Sequence, residues 1–354
     1  MNKTTLLSSL LLSSCIPGFC QKAAPVSEKP DGRVNYPSNF QVEGGANLFV
    51  FGDYLYWIAH EDGLYYAQTG AGSGTSVVPP SSIDFDGELK KIDPHCESGL
   101  RGGAGLNFPK EGYDFKLYWT WFSTDAEDSV HSSEGDILPL WAQPDFTHVV
   151  VADPTFAFSA KGRWDLDYNV GDVEWGRSAW FGGYFSLRPF FGIRGLWIDQ
   201  DLDIHYTYNT SPIAVGKWHI DSDFRGAGLR AGADARFSIP WNFSIYGLAS
   251  GSLLYGRFNA DAHFEEDSST IARSKDHHFW KGVSSLQIGA GLAWDTHFFK
   301  DHCHIEFHVG WEQNIWFNVN QMSHFMNTLR SGSYFKENSN LTLQGLVAGG
   351  RFDF

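Results

Sequence analysis

The sequence predicts an all-β protein, a transmembrane antiparallel up-and-down β-barrel of about ten strands. Three observations carry this reading. The first is period-2 alternation sustained from His302 to Asn320. Cys303, Ile305, Phe307, Val309, Trp311, Gln313, Ile315, Phe317 and Val319 face one way, nearly all apolar, and His302, His304, Glu306, His308, Gly310, Glu312, Asn314, Trp316, Asn318 and Asn320 the other, nearly all polar. Side chains of a strand alternate between two faces, and crossing a bilayer takes about 9–11 tilted residues. So long a run therefore reads as a barrel strand that continues past the membrane. The second is the strict alternation of short and long connections, as barrels with short periplasmic turns and long outer loops require. The third is the C-terminus, Arg351-Phe352-Asp353-Phe354, an alternating strand closed by an aromatic residue. Phe352 and Phe354 are read as the assembly signal that a barrel-assembly machinery recognises.

The elements follow in chain order. Residues 1–20 read as a signal peptide, with Lys3 as the basic start and Leu6 to Leu12 as the apolar centre. Leu12-Ser13-Ser14-Cys15 also resembles a lipoprotein cleavage box, in which Cys15 would be acylated. Residues 21–45, with Pro25, Pro30 and Pro37, read as a flexible periplasmic leader, and 46–354 as the barrel. Short connections are placed at Pro109 to Gly112, Asp172 to Arg177, Pro240 to Asn242 and Phe298 to His302. Long ones are placed at Gln68 to Ser98, Ser123 to Phe156, Asn209 to Ser222, Asn259 to His277 and Gln321 to Asn340. Splitting Asn47–Gln68 and Gly182–Tyr208, the latter near Arg188-Pro189, gives twelve strands as the alternative. Cys96 and Cys303 then fall at opposite ends of the barrel, about 25 Å apart. A disulfide needs Cα atoms within about 7 Å, so no intramolecular bridge is expected.

Composition agrees. Of 354 residues, 16% are aromatic, with 14 Trp and 29 Phe, enough for two interfacial girdles. Mean hydropathy is −0.27, and after the N-terminus no apolar run is long enough for a membrane helix. A net charge of −15 disfavours nucleic acid as a partner, because phosphate binding calls for clustered Lys and Arg.

The polar faces supply the candidate site. Arg101, Asp114, Lys116, Arg163, Asp165, Asp167, Arg188, Arg194, Arg230, Asp234, Arg236, Asp295, His304, Glu306, His308 and Glu312 all fall on faces read as inward, as pore-lining residues. Such charges either pair into an internal plug or set the field along an open pore. Barrels of ten or twelve strands lie at the border between filled and open lumens. His302, His304 and His308 share a face with Glu306, a spacing that could ligate zinc, but a polar lumen face explains it as well. His277-His278 offers less, since adjacent residues point to opposite faces. Asp201, Asp203 and His205 supply acids and bases for an omptin-like surface hydrolase, yet no omptin motif accompanies them. No phosphate loop or serine elbow stands out. No catalytic residue, metal or cofactor is assigned, and the chain is read as non-enzymatic.

Several segments together resemble a known family. They are Asp53-Tyr54-Leu55-Tyr56-Trp57, Gly99 to Leu106, Arg188 to Gly195, Gly310 to Phe317, Asn320-Gln321-Met322 and Arg351 to Phe354. In this order they resemble the Legionella-type pore-forming outer-membrane proteins, also called the major-outer-membrane-protein-like family of environmental chlamydiae. The resemblance runs from about residue 46 to the end. It implies a barrel in the outer membrane of a Gram-negative bacterium, with porin activity. The leading expectation is a porin for passive diffusion of small hydrophilic solutes or ions through a lumen of mixed charge. The alternative is a non-conducting structural or adhesive barrel with interaction loops. Expected partners are outer-membrane lipid, the assembly machinery, solutes and further copies of the chain.

Overall fold

A computed structural model describes residues 34–35, 40, 42, 47–70, 87–108, 111–141, 156–209, 213–267, 269–299, 302–325, 334–336 and 338–354. Residues 1–20, with the expected signal peptide and Cys15, lie outside the described residues. Ten long strands form the wall. They are β1 (Leu48–Glu61), β2 (Cys96–Phe108), β3 (Tyr113–His131), β4 (Ala157–Arg177), β5 (Phe185–Tyr208), β6 (Val215–Ile239), β7 (Phe243–Glu266), β8 (Ser269–Phe298), β9 (Cys303–Phe317) and β10 (Leu341–Asp353). Each pairs antiparallel with the next. β10 pairs with β1 from Leu341↔Glu61 to Asp353↔Phe49, which closes the ring.

The strand number is therefore ten, not twelve. Arg188-Pro189 sits inside β5 rather than at a turn. Pro189 pairs with Ala233 of β6, and on the other side it falls between the pairings Leu187↔Ala179 and Phe190↔Gly176. Its missing N–H faces a gap in the ladder, so the proline breaks no bond there. The turn expected at Asp172–Arg177 is likewise strand, with Val173 opposite Leu117 and Trp175 opposite Phe115. The connection lies instead at residues 178–184, where the short strand Ala179–Phe181 also pairs with Val34–Asn35 of the leader. The turn at Pro240 to Asn242 is as expected, with Trp241 and Asn242 at φ 68° and 65°.

The larger departure is length. β5 has 24 residues, β6 has 25 and β8 has 30. Residues 123–131 of the segment Ser123–Phe156, and most of Asn209–Ser222 and Asn259–His277, expected as loops, are wall. A strand of 24 residues tilted by about 40° rises roughly 60 Å, against about 25 Å for the apolar band. The wall thus projects well beyond the membrane on the β4–β8 side.

The two parts of the wall have opposite codes. Within the band, Leu117, Ile193, Leu229 and Leu253 face outward and are more than half exposed, while charged side chains face in. Above it the faces invert without any change of register. β4 turns Asp172 and Glu174 inward low down, and Trp164, Leu166, Tyr168 and Val170 inward higher up. β5 does the same, from Arg188 and Arg194 to Leu196, Ile198, Leu202 and Ile204. Lipid solvates the lower wall and water the upper, so each puts the opposite polarity inside.

Candidate functional site

The interior at membrane level is an ion-pair network. Arg188 reaches Asp114 at 2.5 Å, Asp234 at 2.7 Å and Glu174 at 3.2 Å. Glu174 also accepts from Arg230 at 2.7 Å, and Arg230 lies 3.2 Å from Asp172. Tyr118 donates to Glu174 at 2.6 Å and its hydroxyl accepts from Arg230. Arg194 donates to both oxygens of Asp172 at 2.7 and 2.9 Å. Gln287 of β8 accepts from Arg194 at 3.1 Å and Arg230 at 2.7 Å, and donates to Glu312 at 2.7 Å. Glu312 clasps Arg101 at 2.7 and 3.0 Å, and Arg101 leads to Asp53 at 3.4 Å. His308 lies 3.1 Å from Asp53, Lys116 lies 3.9 Å from Asp234, and Arg236 reaches Glu306 at 2.6 Å and Asp295 at 3.7 Å. Contacts between β5 and β8, and between β2 and β9, run across the lumen rather than along the wall. Space is tight enough that a Cβ on Gly176 would sit 2.5 Å from the Arg188 guanidinium.

Arg194, Arg230, Asp172 and Glu174 are 3%, 2%, 1% and 4% exposed. Side chains lining a water-filled channel would be wet; these are not. At the periplasmic end, Phe40 of the leader stacks on His304 with centroids 3.8 Å apart. Its ring lies under the guanidiniums of Arg236 and Arg351, at 5.1 and 5.5 Å. His304 in turn meets Asp353 at 2.8 Å and Asp295 at 3.6 Å. At the outer end, Trp57, Trp164, Trp218, Trp316, Phe258 and Phe264 form one buried cluster. Residues of a small sheet (Tyr65–Gln68, Leu89–Lys91 and Leu138–Pro139) close over it. Tyr206 donates to the Tyr66 carbonyl at 2.5 Å, and Trp141 to the Tyr65 carbonyl at 3.0 Å. Glu61 is buried in this outer part, near Gln200 and Asn320, and burial holds its carboxyl well above the usual range.

Of the sixteen residues read as lumen-lining, thirteen face inward into this packed interior. Arg163, Asp165 and Asp167 do not. They lie on the outer wall above the membrane, where the polar face of β4 is the solvent face. There they join a surface of which the sequence singled out Asp201, Asp203 and His205 but not the cross-strand row or His219 and Asp221. Asp125↔Asp165, Asp165↔Asp201, Asp201↔Asp221 and Asp221↔Asp261 are successive register partners, a row of aspartates across β3 to β7. The next row holds Glu127, Arg163, Asp203, His219 and His263. His219 Nδ1 is 2.6 Å from Asp203 Oδ1, and its Nε2 is 3.0 Å from Asp221 Oδ1. Those two bonds push His219 up to about 10 and hold Asp203 and Asp221 below the usual range. Partial burial, then the hydrogen bond and charge of Asp221, raise Asp201 to about 7. Grooves of about 340 and 190 Å³ open on this wall. The signal was present in Asp199-Gln200-Asp201-Leu202-Asp203 and His219-Ile220-Asp221-Ser222-Asp223, where acids alternate with inward residues.

A family model described as Legionella pneumophila major outer membrane protein precursor matches residues 47–354. The chain belongs to this family. The Legionella-type barrel is thus an outer-membrane protein, as its sequence motifs imply. No curated protein matches it. Among solved structures it is similar to the outer membrane protease OmpT of Escherichia coli, at 11% identity, covering 90% of this chain and 99% of that one, with a TM-score of 0.39. It is also similar to a Pseudomonas aeruginosa FadL homologue, at 8% identity, 87% and 89% coverage and a TM-score of 0.24. The Pseudomonas putida toluene transporter TodX gives 8% identity, the same coverages and a TM-score of 0.21.

Proposed function

We propose that this chain is a closed outer-membrane barrel, non-conducting at rest, whose working surface is the wall and cap that rise above the membrane. The observation that carries the reading is the filled interior. Phe40 occupies the periplasmic mouth, the Arg–carboxylate network spans the middle, and an aromatic core fills the outer part. A diffusion pore needs a continuous aqueous path, and hydrating this core would expose many apolar side chains at roughly 1.5–3 kcal/mol each. The sequence alone favours the porin; the packed lumen favours the structural or adhesive alternative. Catalysis plays no part in this reading, in which the His–Asp cluster stands on the open outer wall.

Assembly belongs to the same proposal. Phe352 and Phe354 stack 5.8 Å apart, with Phe352 also 6.2 Å from Phe298, at the periplasmic rim of the lipid-facing wall. Barrel-assembly machinery is proposed to read this strand. The test is single-channel recording of the purified protein in planar bilayers across a salt gradient. Silence from a folded, heat-modifiable barrel is expected. Regular ohmic steps would overturn the reading and restore the porin.

A further inference from the structure

We propose that Asp201, Asp221 and His219 form a transition-metal site on the outer wall, with Zn²⁺ as the fitting ion and Asp203 as the residue that orients the imidazole. The proposal goes beyond the reading of the lumen and does not depend on whether the barrel conducts.

The argument begins with register. Asp201 and Asp221 are direct partners on adjacent strands, and their outer neighbours in the same row are Asp165 and Asp261. Like charges directly opposite one another destabilise a sheet. The nearby cations are taken elsewhere. Arg163 is bound to Asp165 at 2.9 Å, and Arg273 and Lys275 to Asp261 at 2.6 and 3.7 Å. Among the described residues, no arginine or lysine pairs with Asp201 or Asp221. The centre of the row thus carries two opposed carboxylates, hydrogen-bonded to each other, with His219 in contact with Asp221 and His263 beside it.

The geometry then points to a metal rather than to diffuse counter-ions. One oxygen of each carboxylate and one nitrogen of His219 lie within 4.8 Å of one another. Tetrahedral zinc with bonds of about 2.0–2.1 Å needs ligand atoms about 3.4 Å apart, which small side-chain rotations reach. Asp203 holds Nδ1 at 2.6 Å and leaves Nε2 turned toward Asp221. A carboxylate on the far nitrogen is what fixes the tautomer and ring plane of a metal-ligating histidine. Two oxygens and one imidazole suit Zn²⁺ better than Ca²⁺ or Mg²⁺, which take oxygen alone. Asp221 also lines the groove of about 340 Å³, so solvent and further ligands can reach a fourth position.

The test is calorimetric titration of the folded full chain in detergent with ZnCl₂ after chelator treatment, repeated with CaCl₂. One saturable Zn²⁺ site per chain is expected. Asp201→Asn and His219→Gln should each weaken it at least tenfold. Asp203→Asn, which touches the imidazole and not the metal, should weaken it about 10–100-fold. Asp165→Asn, one place along the same row, should change it less than threefold. Heat-modifiable mobility of every variant reports folding independently. The proposal is overturned by the absence of saturable Zn²⁺ binding, by Ca²⁺ binding as tightly as Zn²⁺, or by equal losses from Asp165→Asn and Asp201→Asn. The last outcome would mean that the row acts only as a negative field.

Discussion

Whether the lumen is dry can be read from the strength of one ion pair. Arg230 and Glu174 meet at 2.7 Å with side chains 1% and 5% exposed. Replacing Arg230 by Met keeps most of the volume and removes the charge. Breaking a buried pair by removing one partner costs about 3–5 kcal/mol, because the other charge stays buried. Here Glu174 keeps Arg188 at 3.2 Å, and Asp172 keeps Arg194 at 2.7 Å. The loss should therefore sit near the lower end, about 3 kcal/mol. Glu174→Gln alone leaves Arg230 with Asp172, and the double variant removes both members of the pair. A coupling energy of about 2 kcal/mol is expected from the double-mutant cycle.

The assay is denaturant unfolding of the four proteins in detergent, followed by tryptophan fluorescence, at 0.1 and 1 M KCl. In a water-filled lumen the same pair would behave as an exposed one, with coupling of about 0.2–1 kcal/mol. That coupling would fade in 1 M salt, where the Debye length shrinks from about 10 to 3 Å. A coupling below about 1 kcal/mol that disappears at high salt would refute the closed interior, however complete the network looks.

Other perturbations reach the remaining parts of the wall. Leu117→Arg, on the lipid face and 55% exposed, should cost roughly 2–4 kcal/mol in bilayer unfolding experiments, and a neutral result would show that the facing is wrong. Phe40→Ala should free the leader, so that trypsin cleaves after Arg33 at least about tenfold faster in the folded protein; unchanged cleavage would mean that the stacked ring does not hold the segment. Asp201, raised to about 7, binds its proton more tightly folded than unfolded, so its contribution is full below the ordinary carboxyl range and is lost as pH rises from about 4 through 7. His219, raised to about 10, loses its contribution from about 6.5 upward. Unfolding free energy should therefore fall between pH 5 and 10, and Asp201→Asn should flatten the acidic part of that slope, whereas a stability rising with pH would contradict both assignments.

Period-2 alternation made the barrel legible. The strands around Leu117, Leu229, Ile288 and Val309 are assigned correctly from it, including which face meets lipid. Alternation by itself fixes that two faces differ; which one is inside follows only once the solvent outside, lipid or water, is specified. In β5 the outward residues run Phe191, Ile193, Trp197 and then Asp199, Asp201, Asp203, while the inward ones run Arg188, Arg194 and then Leu196, Ile198, Leu202. Register is continuous across the change, so only the solvent has changed. Assuming one code for the whole strand is what placed Arg163, Asp165 and Asp167 in the lumen. It also made strands above the membrane look like acidic loops. The contacts across the lumen could not be read from alternation, because they join strands distant in sequence, as Arg101 of β2 joins Glu312 of β9.

The inversion also bears on function. An upper wall with water outside must be apolar inside to be stable, by the same hydrophobic term that builds a soluble β protein. The side chains that meet this need, Trp57, Trp164, Trp218 and Trp316 among them, are as buried as any in a globular core. A barrel tall enough to stand clear of the membrane, yet only ten strands wide, can therefore satisfy that demand by filling itself. The residues that remain free to meet the outside are then those of the outer wall and the cap. This is why the aspartate row, and not the charged lumen that first draws the eye in the sequence, is the place to look for what the protein binds.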